Sequence, residues 1–365
     1  MVTENSVLPI TLAEPASRGD FLAYPSRLRP RWILPTEKCL RRSSLQLYVP
    51  QRLGGHFRKQ LLARGILQGE PVAVPEAGRL AELFAGALGC NVCLAFLVGT
   101  PGAYQKVTAR VMNPRGEVLA YAKLASHPLA VSALDNEQRT LERLATVPTL
   151  RLQVPQVLMW QRQNGAAALL LTAGPDKPGS QRLTAAHQDF LRSLNEAFQE
   201  QRPFSTSGIW RSMNRLYTEL GPSLSRQWCD RYERALALLE RDLGETTVSL
   251  TLAHRDFTPW NTRLASDGTL FVFDWEFAEM GYPSTYDSLH YMNIGRAISH
   301  RQARAANGRS RWFGRPSPLH LHYLAYLMDV SLFYQSARRS VPQKGNDKVS
   351  DWCGYRIHEL TENLS

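Results

Sequence analysis

Residues 250–287, LTLAHRDFTPWNTRLASDGTLFVFDWEFAEMGYPSTYD, combine acidic and polar side chains with apolar and aromatic ones. In this stretch HRDFTPWN has the spacing H-x-D-x-x-x-x-N, which places Asp256 and Asn261 in one short segment. A tight SDG turn follows, and the apolar run TLFVF then ends on Asp274. A hydrophobic core excludes so many charges unless they are paired, so we interpret this stretch as an active site.

Two carboxylates and a carboxamide on adjacent segments are the set that phosphoryl transfer requires. One carboxylate can accept the proton of an attacking hydroxyl group, while the carboxamide and the other carboxylate hold Mg²⁺ against nucleotide phosphates. Oxygen ligands suit this hard cation, and the sequence lacks the clustered Cys or His residues that indicate zinc. The alternative is that Asp256 and Asp274 only cap loops. It leaves the spacing of Asn261 and the DWE that begins at Asp274 unexplained.

Two lobes or domains must position these residues, because a chain of 365 residues is too long for a single ordinary hydrophobic core. Residues 91–173 predict three strands, a helix and two more strands, which make a small antiparallel, β-rich N-lobe. Residues 174–365 predict a larger, mostly helical C-lobe that carries the polar stretch. Residues 1–90 form an N-terminal extension whose role the sequence does not indicate. We predict a strand at Ser44–Val49 and a helix at Glu76–Gly89 within it. We predict an α+β fold with a ligand cleft between the lobes.

The segments LAHRDFTPWN and FVFDWEFAEMGYPSTYD resemble the aminoglycoside phosphotransferase and choline kinase superfamily, which has the protein-kinase-like fold. The resemblance is strong across this stretch and continues upstream, weaker but collinear, to about residue 90. It implies that Asp256 is the catalytic carboxylate and that Asn261 and Asp274 are the metal ligands.

The same resemblance assigns supporting residues around the loop. It implies that His254 braces the loop and that Asp287 ties the following helix to it. Arg255 stands where the superfamily commonly has Gly, and it gives the loop an HRD motif like that of a protein kinase. Glu276, in DWE, would either assist a second metal ion or face the acceptor.

A nucleotide kinase also needs a cation for the phosphates and an acid that positions the cation. Lys123 lies in the third predicted strand and Glu137 on the next helix, the order of the lysine–glutamate pair in kinase-like folds. A Lys in an apolar strand is costly unless it is paired. Glu142 competes for this role, and we prefer Glu137 because it lies one turn before Leu141, as in the family pattern.

Two further segments complete the expected nucleotide site. The turn GTPGAYQK, with Gly99 and Gly102, would lie over the phosphates, although an ordinary hairpin turn has the same composition. Thr172 and Ala173 would form the hinge, where backbone groups meet the adenine.

We therefore predict a kinase that uses Mg²⁺ and ATP, with GTP as an alternative donor, and phosphorylates a hydroxyl group of a small molecule. The acceptor would be a sugar, a sugar derivative, a nucleoside or a similar compound. A protein kinase is disfavoured, because DWE replaces DFG, no APE segment follows, and Asp287 comes too soon after Asp274 for a long activation loop. A non-catalytic nucleotide-binding or scaffold protein is the other alternative. The chain retains the residues that such a protein would usually lose, namely Lys123, Asp256, Asn261 and Asp274.

The basic charge of the chain indicates which acceptors and other partners it would attract. The formal net charge is +11, and residues 296–348 carry ten Lys or Arg residues against two Asp residues. Such a basic zone favours an anionic or neutral acceptor over a polycationic aminoglycoside, and it could also contact an anionic surface. No nucleic-acid-binding motif accompanies the charge.

The cysteines and the hydropathy indicate a cytoplasmic protein. The number of Cys residues is odd and small for this length, as expected in a reducing compartment. No apolar run approaches the roughly 20 residues that span a bilayer, and the N-terminus lacks the pattern of a signal peptide. The cysteines are Cys39, Cys90, Cys93, Cys229 and Cys353.

Overall fold

The computed structural model describes residues 9–14, 19–45, 53–64, 66–67, 69–299, 318–340 and 347–364. The chain divides into two compact units, one comprising Met1–Arg143 and Pro155–Gly174, the other Leu144–Val154 and Pro175–Ser365. The first unit is built on a β-sheet and the second is mostly helical, so the predicted α+β fold is confirmed.

The sheet of the first unit is antiparallel throughout. Its strands are β1 (Phe21–Tyr24), β2 (Trp32–Pro35), β3 (Glu70–Val72), β4 (Cys93–Val98), β5 (Val107–Met112), β6 (Val118–Ala125), β7 (Val157–Gln163) and β8 (Ala166–Thr172). In the described chain these eight strands follow the order β3-β1-β2-β4-β5-β6-β8-β7. Strands β4 to β8 are those that the sequence predicts. The extension adds β1 to β3 to the same sheet, because β2 pairs with β4.

Helices cover parts of this sheet and close its core. The helices of the first unit are α1 (Lys38–Ser44), α2 (Leu53–Ala63), α3 (Glu76–Leu88) and α4 (Pro128–Ala145), the last of which runs into the second unit. Phe84 of α3 is fully buried in a cluster with Ile33 and Phe96, and burial of each such side chain stabilises the fold by roughly 1.5–3 kcal/mol. Gly89 ends α3 with a φ of 69°, as its sequence position predicts.

The strand predicted at Ser44–Val49 is wrong at its first two residues, because Leu45 caps α1 with a helical backbone conformation. Ser44 is the last residue of α1, where its hydroxyl group donates to the carbonyl oxygen of Leu40 at 2.6 Å. Residues 46–49 lie outside the described ranges. The local alternation of apolar residues therefore does not override the helix that precedes it.

The second unit combines helices with short strands. Its helices are α5 (Ala185–Phe198), α6 (Gly208–Leu220), α7 (Arg226–Leu243), α8 (Tyr286–Ser299), α9 (Pro318–Ser340) and α10 (Lys348–Leu364). Its strands are β9 (Glu200–Pro203), β10 (Thr247–Ala253), β11 (Thr262–Leu264), β12 (Leu270–Val272) and β13 (Glu279–Pro283). The pattern TAAHQDFLRSLNEAFQE predicts helix as far as Glu200. The helix ends earlier because Glu200 begins β9, which pairs with β10.

Helix α9 is the apolar centre of the second unit. Its residues Leu324, Leu327, Met328 and Leu332 are buried in one cluster with side chains of α6, α7, α8 and α10. Strand β10 lies between β9 and β13 and leads directly into the HRD segment. None of the helices in the described chain is both long enough and apolar enough to cross a lipid bilayer.

Candidate active site

The HRD loop (residues 254–256) begins where β10 ends, and a buried carboxylate holds its backbone. The amide groups of His254 and Arg255 donate to the two oxygens of Asp287, at 2.8 and 3.0 Å. Asp287 lies in the first turn of α8, where the helix dipole favours a carboxylate. Burial raises the pKa of Asp287, while the two backbone hydrogen bonds act to lower it. The loop is thus fixed to the start of α8.

His254 connects the HRD loop to the segment that precedes Asp274. Its ring is fully buried against Trp275, with the ring centroids 4.5 Å apart. The amide of Asp256 donates to Nδ1 at 3.3 Å, so the other nitrogen, Nε2, carries the proton and donates to the carbonyl oxygen of Phe273 at 3.0 Å. Both bonds fix the loop relative to the strand.

Asn261 is placed beside Asp256 and next to the segment of Asp274. Strand β11 pairs with β12, and the pairing continues to a bond from the Phe273 amide to the Asn261 carbonyl oxygen. The Nδ2 of Asn261 donates to the Oδ2 of Asp256 at 2.8 Å and to the carbonyl oxygen of the same residue at 3.0 Å. Since Nδ2 is engaged in this way, the side-chain oxygen of Asn261 is the atom that can bind a cation.

The second carboxylate lies in a turn of unusual backbone conformation. Asp274 has a φ of 73°, in the left-handed region, and one of its carboxylate oxygens lies within 4.8 Å of a carboxylate oxygen of Glu276. Together with Asn261, these side chains offer only oxygen ligands. Mg²⁺ prefers such ligands, so the residues of this unit fit a magnesium ion.

Arg255 has a conformation that favours glycine. Its φ is 64°, which costs a non-glycine residue of order 1–3 kcal/mol. Its guanidinium group is nearly buried and pairs with Glu279 at 2.7 Å and with Asp329 at 3.0 Å. It also lies over the ring of Tyr282, 4.8 Å from the centroid. These interactions offset the backbone strain and join the HRD loop to α9.

Asp329 is a partner that the sequence analysis missed. This fully buried residue of α9 accepts hydrogen bonds from Arg255, from the hydroxyl of Tyr286 at 2.6 Å and from that of Tyr282 at 3.3 Å. A single Asp inside the apolar run YLAYLMDVSLF is the signal that could have identified it, because a buried carboxylate requires partners.

A cavity of about 70 Å³ opens beside Asp256, within the second unit. The Asp256 side chain is 27% exposed, and its Oδ1 lies 3.5 Å from Nε2 of His290, which also lines the cavity. His290 is the second residue that the sequence analysis missed, because it belongs to no motif and approaches Asp256 only through the packing of α8.

The first unit brings together the predicted lysine–glutamate pair. The Nζ of Lys123, in β6, lies 2.6 Å from Oε2 of Glu137, in α4. Both side chains are buried. Removing one partner of such a buried ion pair strongly destabilises a protein, because the other charge is left buried and unpaired. Glu142, the competing candidate, is exposed on the same helix.

The predicted turn and hinge residues are held by local bonds. The Gly99 amide donates to the Lys106 carbonyl oxygen at 2.8 Å, and the Gln105 amide to that of Gly102 at 3.0 Å. A Cβ atom on Gly99 would lie 2.7 Å from the Lys106 oxygen, so this position requires glycine for close packing. The hydroxyl of Thr172 accepts from the Gln156 amide at 2.9 Å. Ala173 follows β8 directly.

The sequence profile of the phosphotransferase enzyme family matches residues 108–318, more than half of the chain. A thermostable mutant of the aminoglycoside phosphotransferase APH(4)-Ia, in a ternary complex with ADP and hygromycin B, is similar with a TM-score of 0.52 and 15% identity. The match covers 78% of this chain and 98% of that chain.

The choline kinase LicA from Streptococcus pneumoniae has a TM-score of 0.50 and 11% identity, over 78% of this chain and 98% of that chain. At these identities the similarity establishes the fold, and it confirms the kinase-like α+β fold expected from the sequence. No curated protein sequence matches significantly.

Proposed function

The chain belongs to the phosphotransferase enzyme family, and from this premise we propose that it is an ATP-dependent kinase acting on a hydroxyl group of a small molecule. The observation that carries the proposal is the placement of Asp256. Its carboxylate lines a cavity, on a loop that Asp287, His254 and Arg255 fix from three sides. GTP is the alternative phosphoryl donor.

Asp256 would act as the acceptor of the hydroxyl proton. Asn261 occupies its Oδ2, so Oδ1 is the atom that would receive the proton of the attacking hydroxyl group. A rigid loop keeps that oxygen in place, and positioning of this kind accounts for much of the catalysis in phosphoryl transfer.

Asn261 and Asp274 would hold Mg²⁺ through their side-chain oxygens. When bound, the ion would neutralise charge on the nucleotide phosphates. Glu276, whose carboxylate lies near that of Asp274, would either assist a second ion or face the acceptor.

The first unit would bind the nucleotide. Lys123, held by Glu137, would contact the phosphates. The turn with Gly99 and Gly102 would cover them, and the backbone at Thr172 and Ala173 would meet the adenine. These assignments rest on the order of the residues along the chain and on the contacts within this unit.

The acceptor is proposed to be a small molecule. The predicted basic zone, residues 296–348, includes residues 300–317 and 341–346, which lie outside the described part of the chain. An anionic acceptor and contact with an anionic surface therefore stay predictions from the sequence.

A screen of alcohols tests the proposed function. The full-length protein is incubated with Mg²⁺, ATP and pools of sugars, polyols and nucleosides, and mass spectrometry detects products that have gained one phosphoryl group. We expect at least one phosphorylated alcohol, formed only with Mg²⁺ and lost when Asp256 is replaced by Asn. A folded, ATP-binding protein that phosphorylates none of these compounds, or whose Asp256→Asn variant keeps full activity, would contradict the proposal.

A further inference from the structure

The cavity beside Asp256 is walled mainly by rings. Its aromatic wall consists of Phe277, Tyr286, Phe333 and Tyr334. His290 and the charged residues Arg255, Asp256 and Asp329 also line it. Phe277 and Phe333 pack edge to face, with centroids 4.9 Å apart. A cavity must have roughly 10–15 Å³ to hold one water molecule. The cavity beside Asp256, with about 70 Å³, therefore has room for several waters or for part of a small organic molecule.

His290 is a buried polar side chain of this wall for which the described residues provide no hydrogen bond. It is 2% exposed, and neither Nδ1 nor Nε2 has a hydrogen-bond partner among the residues that the structure describes. Its Nε2 lies 3.5 Å from Oδ1 of Asp256, beyond the 2.7–3.2 Å of an ordinary N–H···O bond. Leaving such a buried group unsatisfied costs about 1–3 kcal/mol, so a hydrogen-bonding molecule beside His290, whether water or acceptor, would be favoured.

Packing fixes the His290 ring in this orientation. The ring is parallel to that of Tyr286, with an interplanar angle of 6° and a centroid distance of 6.5 Å. The edge contact with Tyr326, at 5.9 Å and 79°, closes another side. A ring held by two aromatic neighbours keeps Nε2 in a defined place in the cavity wall, beside Oδ1 of Asp256, where a hydrogen bond to a hydroxyl group would require only a small movement of the ring.

The charges of the wall compensate one another, apart from that of Asp256. Arg255 is the cation among the described wall residues, and it already pairs with Asp329 and Glu279. An anionic acceptor would therefore meet the charge of Asp256 without an uncommitted cation to offset it. A cationic acceptor would pair with the carboxylate that must take up the proton. An uncharged acceptor avoids both conflicts.

We propose that His290 binds the acceptor directly in this cavity and that the acceptor is an uncharged sugar or polyol. The proposal rests on the proposed kinase function for the reaction itself. The C–H face of the acceptor packs on the aromatic wall, and a hydroxyl group next to the reacting one bonds to His290. The reacting oxygen forms a bond to the γ-phosphorus of ATP and passes its proton to Asp256. The bond from that phosphorus to the bridging oxygen of ADP breaks, and ADP leaves.

Binding measured without turnover tests this proposal independently of catalysis. Full-length protein labelled with ¹⁵N in its histidine rings is titrated with the methyl pyranosides of glucose, galactose and mannose, which are uncharged. Glucose 6-phosphate and glucosamine serve as charged counterparts of the same ring. We expect saturable shifts of the His290 signals with at least one uncharged pyranoside, and binding of both charged compounds at least about tenfold weaker than that.

Two variants separate direct contact from a general effect on folding. His290→Phe keeps a ring without hydrogen bonds and should weaken pyranoside binding about tenfold to a hundredfold, whereas His290→Gln should retain part of it. His322→Gln is the control, because this half-buried His of α9 also has an unpartnered Nε2 but does not line the cavity. Its binding should match that of the wild type.

The outcomes distinguish this inference from the proposed function. His290 signals that none of the uncharged pyranosides shifts, or that the charged counterparts shift more strongly, would overturn the inference even if the protein is a kinase. Normal pyranoside binding by folded His290→Phe would overturn it as well. Pyranoside binding at His290 in a protein that transfers no phosphoryl group would keep the binding site and refute the kinase function.

Discussion

Two buried carboxylates hold the HRD loop, Asp287 through the backbone and Asp329 through the side chain of Arg255. At the scale of single residues, these bonds explain how Arg255 adopts a φ of 64°. The ion pairs of the guanidinium group with Asp329 and Glu279 offset part of the cost of this backbone conformation. The contacts that hold Arg255 therefore also fix the position of Asp256, the next residue in the chain.

Replacement of Arg255 separates the two contributions. Arg255→Ala removes the partner of the buried Asp329 and should lower the free energy of unfolding by about 3–5 kcal/mol. Arg255→Gly loses the same pair but relieves the left-handed backbone, so it should be about 1–2 kcal/mol more stable than the Ala variant. Urea unfolding followed by tryptophan fluorescence measures both values.

Equal stabilities of the two Arg255 variants would show that the backbone at this position is not strained. Wild-type stability of the Ala variant would show that the pair with Asp329 contributes nothing. Arg192→Ala is a suitable control, because this exposed arginine pairs with Asp189 at the surface, where such pairs contribute about 0–1 kcal/mol.

At the scale of elements, close packing and buried hydrogen bonds set how the helices of the second unit meet. Helix α10 approaches α7 at Gly354, where a Cβ atom would lie 2.2 Å from Cη2 of Trp228. Helix α5 meets α8 through His187, whose Nε2 lies 2.9 Å from the hydroxyl of Tyr291. Each contact makes a separate prediction.

Two Gly→Ala substitutions, one at the α7–α10 contact and the other in α8, should have opposite effects on stability. Gly354→Ala should destabilise the protein by about 1–3 kcal/mol, because the indole ring of Trp228 cannot move without disturbing the core. Gly295→Ala, in α8, meets nothing within 4 Å and should stabilise the protein by about 0.5–1 kcal/mol, since Ala favours helix. Thermal or urea unfolding of both variants is the measurement, and destabilisation of equal size in the two would refute the packing argument.

The α5–α8 contact predicts a pH dependence of stability. Burial lowers the pKa of His187 from 6.5 to about 4, so the unfolded chain takes up a proton at a pH where the folded protein does not. Stability contributed by the neutral ring is therefore present above pH 6.5 and is lost as the pH falls towards 4, by up to about 1.4 kcal/mol per pH unit. Urea midpoints at pH 7, 6 and 5 should fall more steeply for the wild type than for His187→Gln. Parallel slopes would contradict the assignment.

At the scale of the whole molecule, the sequence predicts what is local and misses what is distant in the chain. Strands β4 to β8 follow from hydrophobic periodicity and turn residues, and so does the mostly helical character of the second unit. The spacing of Asp256, Asn261 and Asp274 predicts their roles, which stay predictions. Strands β1 to β3 are only three or four residues long and join the sheet through distant partners, which no local pattern reveals.

Two residues that contact the HRD loop, His290 and Asp329, were missed for the same reason. His290 and Asp329 reach the HRD loop from α8 and α9, over sequence separations that spacing rules do not cover. Asp329 carried a weak signal as a lone acid in an apolar helix. His290 carried none, since a histidine inside an amphipathic helix is usually a packed core residue.

The central claim is that Asp256 accepts the proton in a phosphoryl transfer, and one comparison tests it most directly. The turnover of Mg·ATP, with an acceptor found by the alcohol screen or with water, is measured for the wild type and for Asp256→Asn, alongside the Kd of Mg·ATP. Asp189→Asn, at an exposed surface position, is the control. We expect the kcat of Asp256→Asn to fall about 10²–10⁴-fold, while the Kd for the nucleotide stays nearly unchanged. A folded Asp256→Asn variant with near-normal turnover would contradict the claim.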